Sequence, residues 1–202
     1  RNGTPLLIKR QIKGGDVGNS VGVKIGGGRL RQVNRAGTLA VETPVGDFLE
    51  RGALSEAWSP DGSRIAFGGF VVADDSTALY VARSDGTALN QIVSTDVGAG
   101  SAQWSPDGGW IAFSSRWRSQ PPVWIVHPDG TGLKRLTDGK DGSTSVAPVW
   151  SPDGTRLLFE RMDAGSVTLW TMKVDGSSQV RLTPTPLGTD SVGSYDWFSA
   201  SH

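Results

Sequence analysis

Trp58-Ser59-Pro60-Asp61-Gly62 is the stretch that decides the fold, because the same five residues return twice at a constant spacing. They recur as Trp104-Ser105-Pro106-Asp107-Gly108 and as Trp150-Ser151-Pro152-Asp153-Gly154. Each copy begins 46 residues after the one before it. A constant period of this length is typical of repeat proteins, in which each unit buries its apolar face only against its neighbours.

Apolar segments follow each motif copy at matching positions and predict four short strands per repeat. In the central repeat the motif strand is followed by apolar segments at 110–113, 123–125 and 133–137, with an Asp-Gly turn at 129–131. Within the motif, proline suits the second position of a type I turn and glycine suits the left-handed conformation that closes a hairpin. The sequence therefore predicts an all-β propeller of four-stranded blades, with the motif tryptophans buried between neighbouring blades.

The two ends of the chain suggest how the ring closes. Residues 1–50 hold a degenerate repeat that we expect to lack its first strand, and Trp197 falls 47 residues after Trp150. We therefore expect four blades closed by a C-terminal strand that pairs into the N-terminal blade; the alternative is a fragment of a six- or seven-bladed propeller. On the first interpretation a single domain covers 1–202, with blade 1 at about 1–50 plus 194–200, blade 2 at about 51–96, blade 3 at about 97–142 and blade 4 at about 143–190.

Composition argues against several classes of function. The chain has 20 Lys+Arg and 20 Asp+Glu, so its net charge gives no reason to expect nucleic acid or an anionic membrane as a partner. No apolar run is long enough to predict a transmembrane helix. Cysteine is absent, which excludes disulfides and thiol catalysis, and two histidines cannot form a usual zinc site. We expect a monomer without a cofactor or a bound metal.

Three motifs are consistent with chemistry but are better explained as turns and loops. Gly18–Gly22 matches the spacing of a serine nucleophile elbow, yet no strand-turn-helix context surrounds it. The repeated Asp61, Asp107 and Asp153 are expected to stabilise turns. The acidic turn Asp138–Gly142 lacks the ligand pattern of an EF-hand, so loosely bound calcium is only an alternative there. No catalytic residue is predicted, and enzymatic activity is left open.

The repeated motifs resemble those of the TolB-like β-propeller family, in which Trp-Ser-Pro-Asp-Gly precedes an Ile-Ala-Phe strand, an Asp-Gly turn and Arg-Leu-Thr. The resemblance covers about residues 55–183. It implies a WD40-like blade architecture and a bacterial protein of the periplasm or the extracellular space. It does not imply one function, because such propellers serve several.

Candidate binding residues lie where the repeats differ. Ser115–Ser119 places Trp117 between Arg116 and Arg118, the residue types enriched at binding hot spots. The central mouth of the ring is expected to add Glu56, Gln103, Arg161 and Tyr195. The residues expected to be structural are Trp58, Trp104, Trp150 and Trp197, together with the three motif aspartates.

These features favour a non-enzymatic module that binds a protein or another ligand through its variable loop face and central mouth. One alternative is a carbohydrate-binding or carbohydrate-active propeller of the lectin, glycosidase or lyase type. Another is the non-catalytic propeller of a prolyl-oligopeptidase-like peptidase. The ligand itself cannot be named from the sequence.

Overall fold

The computed structural model describes residues 6–9, 20–26, 29–34, 39–44, 53–71, 76–115 and 120–183. Within these ranges every regular element is a β-strand, and the strands form four antiparallel sheets of four strands each. The predicted all-β class and the four-stranded repeat are confirmed. In each sheet the strands lie side by side in chain order.

The strands of the first two sheets are bounded as follows. Sheet 1 contains β1 (Leu6–Lys9), β2 (Ser20–Gly26), β3 (Arg29–Asn34) and β4 (Leu39–Pro44). Sheet 2 contains β5 (Ala53–Trp58), β6 (Arg64–Val71), β7 (Ser76–Arg83) and β8 (Asn90–Val93).

The other two sheets repeat this pattern. Sheet 3 contains β9 (Gly100–Trp104), β10 (Ile111–Ser114), β11 (Val123–Val126) and β12 (Lys134–Arg135). Sheet 4 contains β13 (Thr144–Trp150), β14 (Arg156–Asp163), β15 (Ser166–Lys173) and β16 (Val180–Arg181). The motif tryptophans therefore end the first strand of sheets 2, 3 and 4.

Sheet 1 corrects one expectation about the N-terminus. Its β3 and β4 occupy the third and fourth positions, as the sequence comparison with the later repeats predicts. The first position, however, is filled by β1, which pairs with β2 from Leu6 opposite Ile25 to Lys9 opposite Gly22. The prediction that this repeat lacks its first strand is therefore wrong. Residues 194–200, which were expected to complete this sheet, lie outside the described residues.

The motif turn explains why serine, aspartate and glycine recur together. Ser59 Oγ accepts from the Arg64 amide at 2.9 Å and donates to Asp61 Oδ1 at 2.6 Å. The Gly62 amide donates to the Ser59 carbonyl at 2.8 Å, and Gly62 has a φ of +70°. An L-residue with a side chain is disfavoured at that φ, so glycine is the natural choice.

The same turn forms in sheets 3 and 4. Ser105 Oγ and Ser151 Oγ donate to Asp107 Oδ1 and Asp153 Oδ1 at 2.5 and 2.6 Å. Hydrogen bonds from serine and from the following backbone amide hold the pKa of Asp61 and Asp153 at about 2, below the ordinary 3.8. These aspartates are therefore ionised acceptors within their own turns.

Sheets 2, 3 and 4 pack one on the next through their first strands. β9 packs on β5 and β6, and β13 packs on β9, β10 and β11. One apolar core lies between sheets 2 and 3, and another lies between sheets 3 and 4. Phe67, Phe113 and Phe159 occupy the same position of successive second strands and have no exposed surface. Burying one such side chain stabilises the fold by roughly 1.5–3 kcal/mol.

Two motif tryptophans also form hydrogen bonds across these packed faces. Trp104 Nε1 donates to the Ala57 carbonyl at 3.0 Å, and Trp150 Nε1 donates to the Gln103 carbonyl at 3.1 Å. Each acceptor is the residue just before the motif position of the preceding sheet. Trp58 Nε1 is buried as well, but it has no hydrogen-bond partner in the part of the chain that the structure describes.

The fourth strands of sheets 3 and 4 are short because a threonine side chain ends their pairing. Thr137 Oγ1 accepts from the Val123 amide at 2.9 Å, and Thr183 Oγ1 accepts from the Leu169 amide at 3.1 Å. A side chain thus replaces the next ladder bond, and the outer strand stops after two paired residues. Short edge strands of this kind limit unwanted pairing with other chains.

We expect Trp104→Phe and Trp150→Phe each to lower the free energy of unfolding by about 0.5–1.5 kcal/mol through the lost indole hydrogen bond, which is part-buried between neighbouring sheets. Trp58→Phe is the matched control, since it removes an indole that makes no hydrogen bond with any residue that the structure describes. Urea unfolding followed by circular dichroism measures the three variants. Equal losses in all three would contradict a role for the indole hydrogen bond.

Acidification is expected to destabilise the protein between about pH 4 and pH 2. Folding lowers the pKa of Asp61 and Asp153 from 3.8 to about 2, so the stability they add is present above pH 3.8 and is lost as the pH falls towards 2. Urea unfolding across this range measures the slope. The double variant Asp61→Asn, Asp153→Asn should show a shallower slope, and an unchanged slope would rule out these two carboxyls as its source.

Candidate functional site

The ends of the strands define two faces that differ in character. We call the turn face the end that carries the turns after the first and third strands, such as 59–63 and 127–131. We call the loop face the opposite end, which carries the connections between sheets and the middle connections, such as 94–99 and 120–122. Antiparallel strand order places these two sets of connections at opposite ends of every sheet.

Carboxylates on the turn face are already engaged in local hydrogen bonds. Besides the motif aspartates, Asp129 Oδ1 accepts from the Thr131 amide at 2.9 Å, and Asp175 Oδ1 accepts from the Ser177 amide at 2.8 Å. Hydrogen bonds from the neighbouring hydroxyl and amide lower the pKa of Asp129 and Asp175. These side chains hold turns in shape and are poorly placed to serve a ligand.

The predicted binding residues fall on different parts of the structure. Glu56 lies on β5, Gln103 on β9 and Arg161 on β14, and no hydrogen bond or ion pair joins them within the described ranges. The Gln103 side chain is exposed, while its carbonyl receives the Trp150 indole. The other candidates, Arg116, Trp117, Arg118 and Tyr195, lie outside the described residues, as does Trp197.

Sheets 3 and 4 meet on the loop face in a seam that we define by residues 120–122, 137–145, Arg161 and Trp170. The Ser145 amide donates to the Pro121 carbonyl at 2.8 Å, which ties the first strand of sheet 4 to the middle connection of sheet 3. Gly139 has a φ of +61°, and a Cβ at this position would stand 3.3 Å from Gln120 Cβ. The middle connection of sheet 3, at 120–122, therefore lies against the connection that leads into sheet 4, at 137–143.

Arg161 forms two contacts with other residues of this seam. Its Nη2 forms an ion pair with Asp141 Oδ2, and its Cζ lies 4.6 Å from the ring centroid of Trp170. The other carboxylate oxygen of Asp141 accepts from Ser143 Oγ at 2.6 Å. Hydrogen bonds from Ser143 and, to a lesser extent, the charge of Arg161 lower the pKa of Asp141.

The equivalent position in sheet 3 shows that the fold does not need this arginine. Ser115 stands 46 residues before Arg161. Its hydroxyl donates to the Val97 carbonyl at 2.7 Å and accepts from Trp124 Nε1 at 3.1 Å. In sheet 4, Trp170 Nε1 instead donates to Thr168 Oγ1 at 2.9 Å. Sequence reasoning identified Arg161 but missed its contacts with Asp141 and Trp170; the departure from the 46-residue period was the available signal.

The acidic turn Asp138–Gly142, for which loosely bound calcium was an alternative, is part of this seam. Asp138 forms an ion pair with Lys140 at 3.2 Å, and Asp141 is bound to Arg161 and Ser143. Among the residues that the structure describes, no group of three or more His, Asp or Glu side chains is arranged to hold a metal ion. The same residues include no helix long and apolar enough to cross a membrane.

Glu56 occupies an irregular position of β5. The β5–β6 register shifts between Leu54 and Ala57, so Glu56 lies in a β-bulge. Its Oε1 is buried without a hydrogen-bond partner among the described residues, and burial raises the pKa of the carboxyl. The equivalent residues in sheets 3 and 4 are Ala102 and Pro148, both buried, so a carboxyl here is specific to sheet 2.

A second buried acid escaped sequence reasoning. Glu160 is 1% exposed, and strand alternation directs it to the side of sheet 4 opposite to Arg161.

Glu56→Gln is expected to stabilise the protein at neutral pH. Because burial raises the pKa of Glu56, the folded state holds this proton more tightly than the unfolded chain does, so stability falls as the pH rises above the ordinary 4.5. Glutamine keeps the shape and removes the charge. Urea unfolding between about pH 4 and pH 7 measures the effect, and Asp61→Asn should act in the opposite direction at pH 7. A destabilised Gln variant would contradict this account.

Comparison with known proteins agrees with the four-stranded antiparallel sheets described above. The family model described as TolB beta propeller domain matches residues 41–193. A search of curated proteins found no match.

Solved structures with the same fold include TolB proteins and a lyase. A protein assigned as TolB from Agrobacterium tumefaciens is 24% identical with a TM-score of 0.59, over 77% of this chain and 61% of that one. TolB from Acinetobacter baumannii is 25% identical with a TM-score of 0.58, over 77% of this chain and 37% of that one. Oligogalacturonate lyase from Vibrio parahaemolyticus is 12% identical with a TM-score of 0.63, over 81% of this chain and 50% of that one, which shows a common fold alone.

This chain spans less than two thirds of the length of each of these structures. The family match nevertheless covers most of the chain and contains all three motif copies. The protein therefore belongs to the TolB β-propeller domain family.

Proposed function

We propose that this propeller is a non-enzymatic binding module whose ligand docks on the loop face, at the seam between sheets 3 and 4. The observation that carries the proposal is the Arg161 cluster, in which Arg161 and Asp141 depart from the repeat while Trp170 keeps the tryptophan found at Trp124. Repeated residues are explained by the turns and the packing between sheets. Side chains that break the repeat on a rigid scaffold are the ones available for recognition.

The unrepeated segment 116–119 belongs to the same proposal. It joins Ser115 to Gln120, and both of these residues are held at inter-sheet contacts on the loop face. Arg116, Trp117 and Arg118 are of the types that dominate binding energy at interfaces. We include them, with Glu56, Gln103 and Tyr195 at the central mouth, as proposed binding residues.

A protein is the partner we favour, and a carbohydrate is the second candidate. The lyase likeness bears on the fold and not on the ligand, because the identity is 12%. On the described surface Trp170 has Arg161 over its ring, so that face is not open for a sugar to stack on it. Membership of the TolB propeller family supports a bacterial periplasmic or extracellular location as part of the proposal.

The test is to place a bound ligand by hydrogen–deuterium exchange. The chain is first screened against peptide and glycan panels. With a ligand bound, we expect slower exchange in 94–99, 120–122 and 137–145, and unchanged exchange in the motif turns 59–63, 105–109 and 151–155. Slowed exchange confined to the motif turns, or chemical conversion of the ligand, would contradict a loop-face binding module.

A further inference from the structure

We propose that Arg161 binds a carboxylate of an acidic peptide, and that Asp141 occupies part of this site as an internal substitute for the ligand. The inference rests on the proposed function and names the ligand chemistry of its site. It starts from the two contacts that hold Arg161 in place, the ion pair with Asp141 and the stacking on Trp170.

The guanidinium has donors left over for a ligand. Arginine carries five N–H donors in a planar fork that matches a carboxylate. Only Nη2 of Arg161 forms a hydrogen bond within the described residues. The Arg161 side chain is 18% exposed, so part of it reaches the surface where a ligand can approach.

Stacking on Trp170 prepares the arginine for binding. With Cζ 4.6 Å from the ring centroid, the Arg161 side chain is held against the indole, which restricts its rotamers before a ligand arrives. A fork held in one orientation loses less entropy when it binds a carboxylate. Lysine could supply the charge here but not the bidentate geometry.

Asp141 is placed as a replaceable partner. It reaches Arg161 through one oxygen only, because Ser143 holds the other at 2.6 Å through its hydroxyl and at 3.1 Å through its amide. The Asp141 side chain is 53% exposed, so the carboxylate side of the ion pair is reached from solvent even though the Arg161 side chain is only 18% exposed. An incoming carboxylate can therefore take the position of Asp141 or share the guanidinium with it.

The alternative ligand of the same charge is an acidic glycan. Binding of a sugar usually adds stacking on an aromatic face, and Arg161 covers the face of Trp170. A glutamate or aspartate side chain needs only the planar N–H donors and the positive charge of the Arg161 guanidinium. The observations therefore favour the peptide, and the glycan is an outcome of the test.

The experiment measures binding of a labelled oligoglutamate peptide to the full chain by fluorescence anisotropy at low ionic strength, with an oligogalacturonate of equal charge in parallel. Arg161→Ala should weaken peptide binding by about tenfold or more, the loss expected for a charge-assisted hydrogen bond. Arg161→Lys should fall between Ala and wild type. Asp141→Asn should tighten binding by about threefold, because the competing carboxylate is gone.

Lys173→Ala is the control, since it removes one exposed positive charge at the other end of the strand that carries Trp170. Circular dichroism checks that each variant is folded. Weaker or unchanged binding in Asp141→Asn, or equal losses in Arg161→Ala and Lys173→Ala, would overturn the proposal. Tighter, Arg161-dependent binding of the oligogalacturonate would overturn the assignment to a peptide.

Failure of the carboxylate site can be distinguished from failure of the proposed binding function. If exchange slows on the loop face but Arg161→Ala binds normally, the module stands and the carboxylate site falls. If no ligand of either class slows exchange on the loop face, both fall.

Discussion

The structure depends on the contact between successive first strands, where a motif tryptophan is buried and its indole donates to the neighbouring sheet. Trp104 reaches the Ala57 carbonyl and Trp150 reaches the Gln103 carbonyl, at nearly equal distances. A four-stranded sheet cannot bury both of its faces alone, so each sheet must find a neighbour. The stacking of sheets 2, 3 and 4 supplies that neighbour, and the indole hydrogen bonds of Trp104 and Trp150 join each pair of packed sheets.

The molecule therefore has one face whose contacts repeat from sheet to sheet and an opposite face whose contacts do not. Near the turn face, the serine and the aspartate of each motif hydrogen-bond to each other, and the serine also binds the backbone of its own turn. On the loop face the connections differ in length and composition, because they carry no comparable set of repeated bonds. Arg161, Asp141 and Trp170 meet there, and their equivalents in sheet 3 make different contacts.

Much of the fold could be predicted from the sequence, and less of the site. The turn chemistry of Pro60, Asp61 and Gly62 is local, so residue identity was enough to predict it. The prediction that sheet 1 lacks its first strand was wrong because β1 does not carry the repeated motif. Leu6–Lys9 pairs with β2 through backbone hydrogen bonds, which do not require a particular sequence. Arg161 was predicted at the central mouth, but its ion pair with Asp141 was not predicted. That pair joins β14 to the connection before β13, and it depends on the strand pairing that sets Ser145 opposite Arg161.

The repeat, the four strands of sheets 2, 3 and 4 and the motif turns could be predicted from the sequence alone, because they follow from short-range spacing and from the backbone preferences of proline and glycine. Only the tertiary structure decided which polar groups are satisfied and which are exposed. It paired the indoles of Trp104 and Trp150 and left that of Trp58 without an acceptor in the described residues. It also placed Arg161 on Trp170 beside Asp141. The reason is that hydrogen bonds and ion pairs between residues far apart in the sequence depend on how the strands pair and how the sheets stack. No local sequence pattern encodes these contacts.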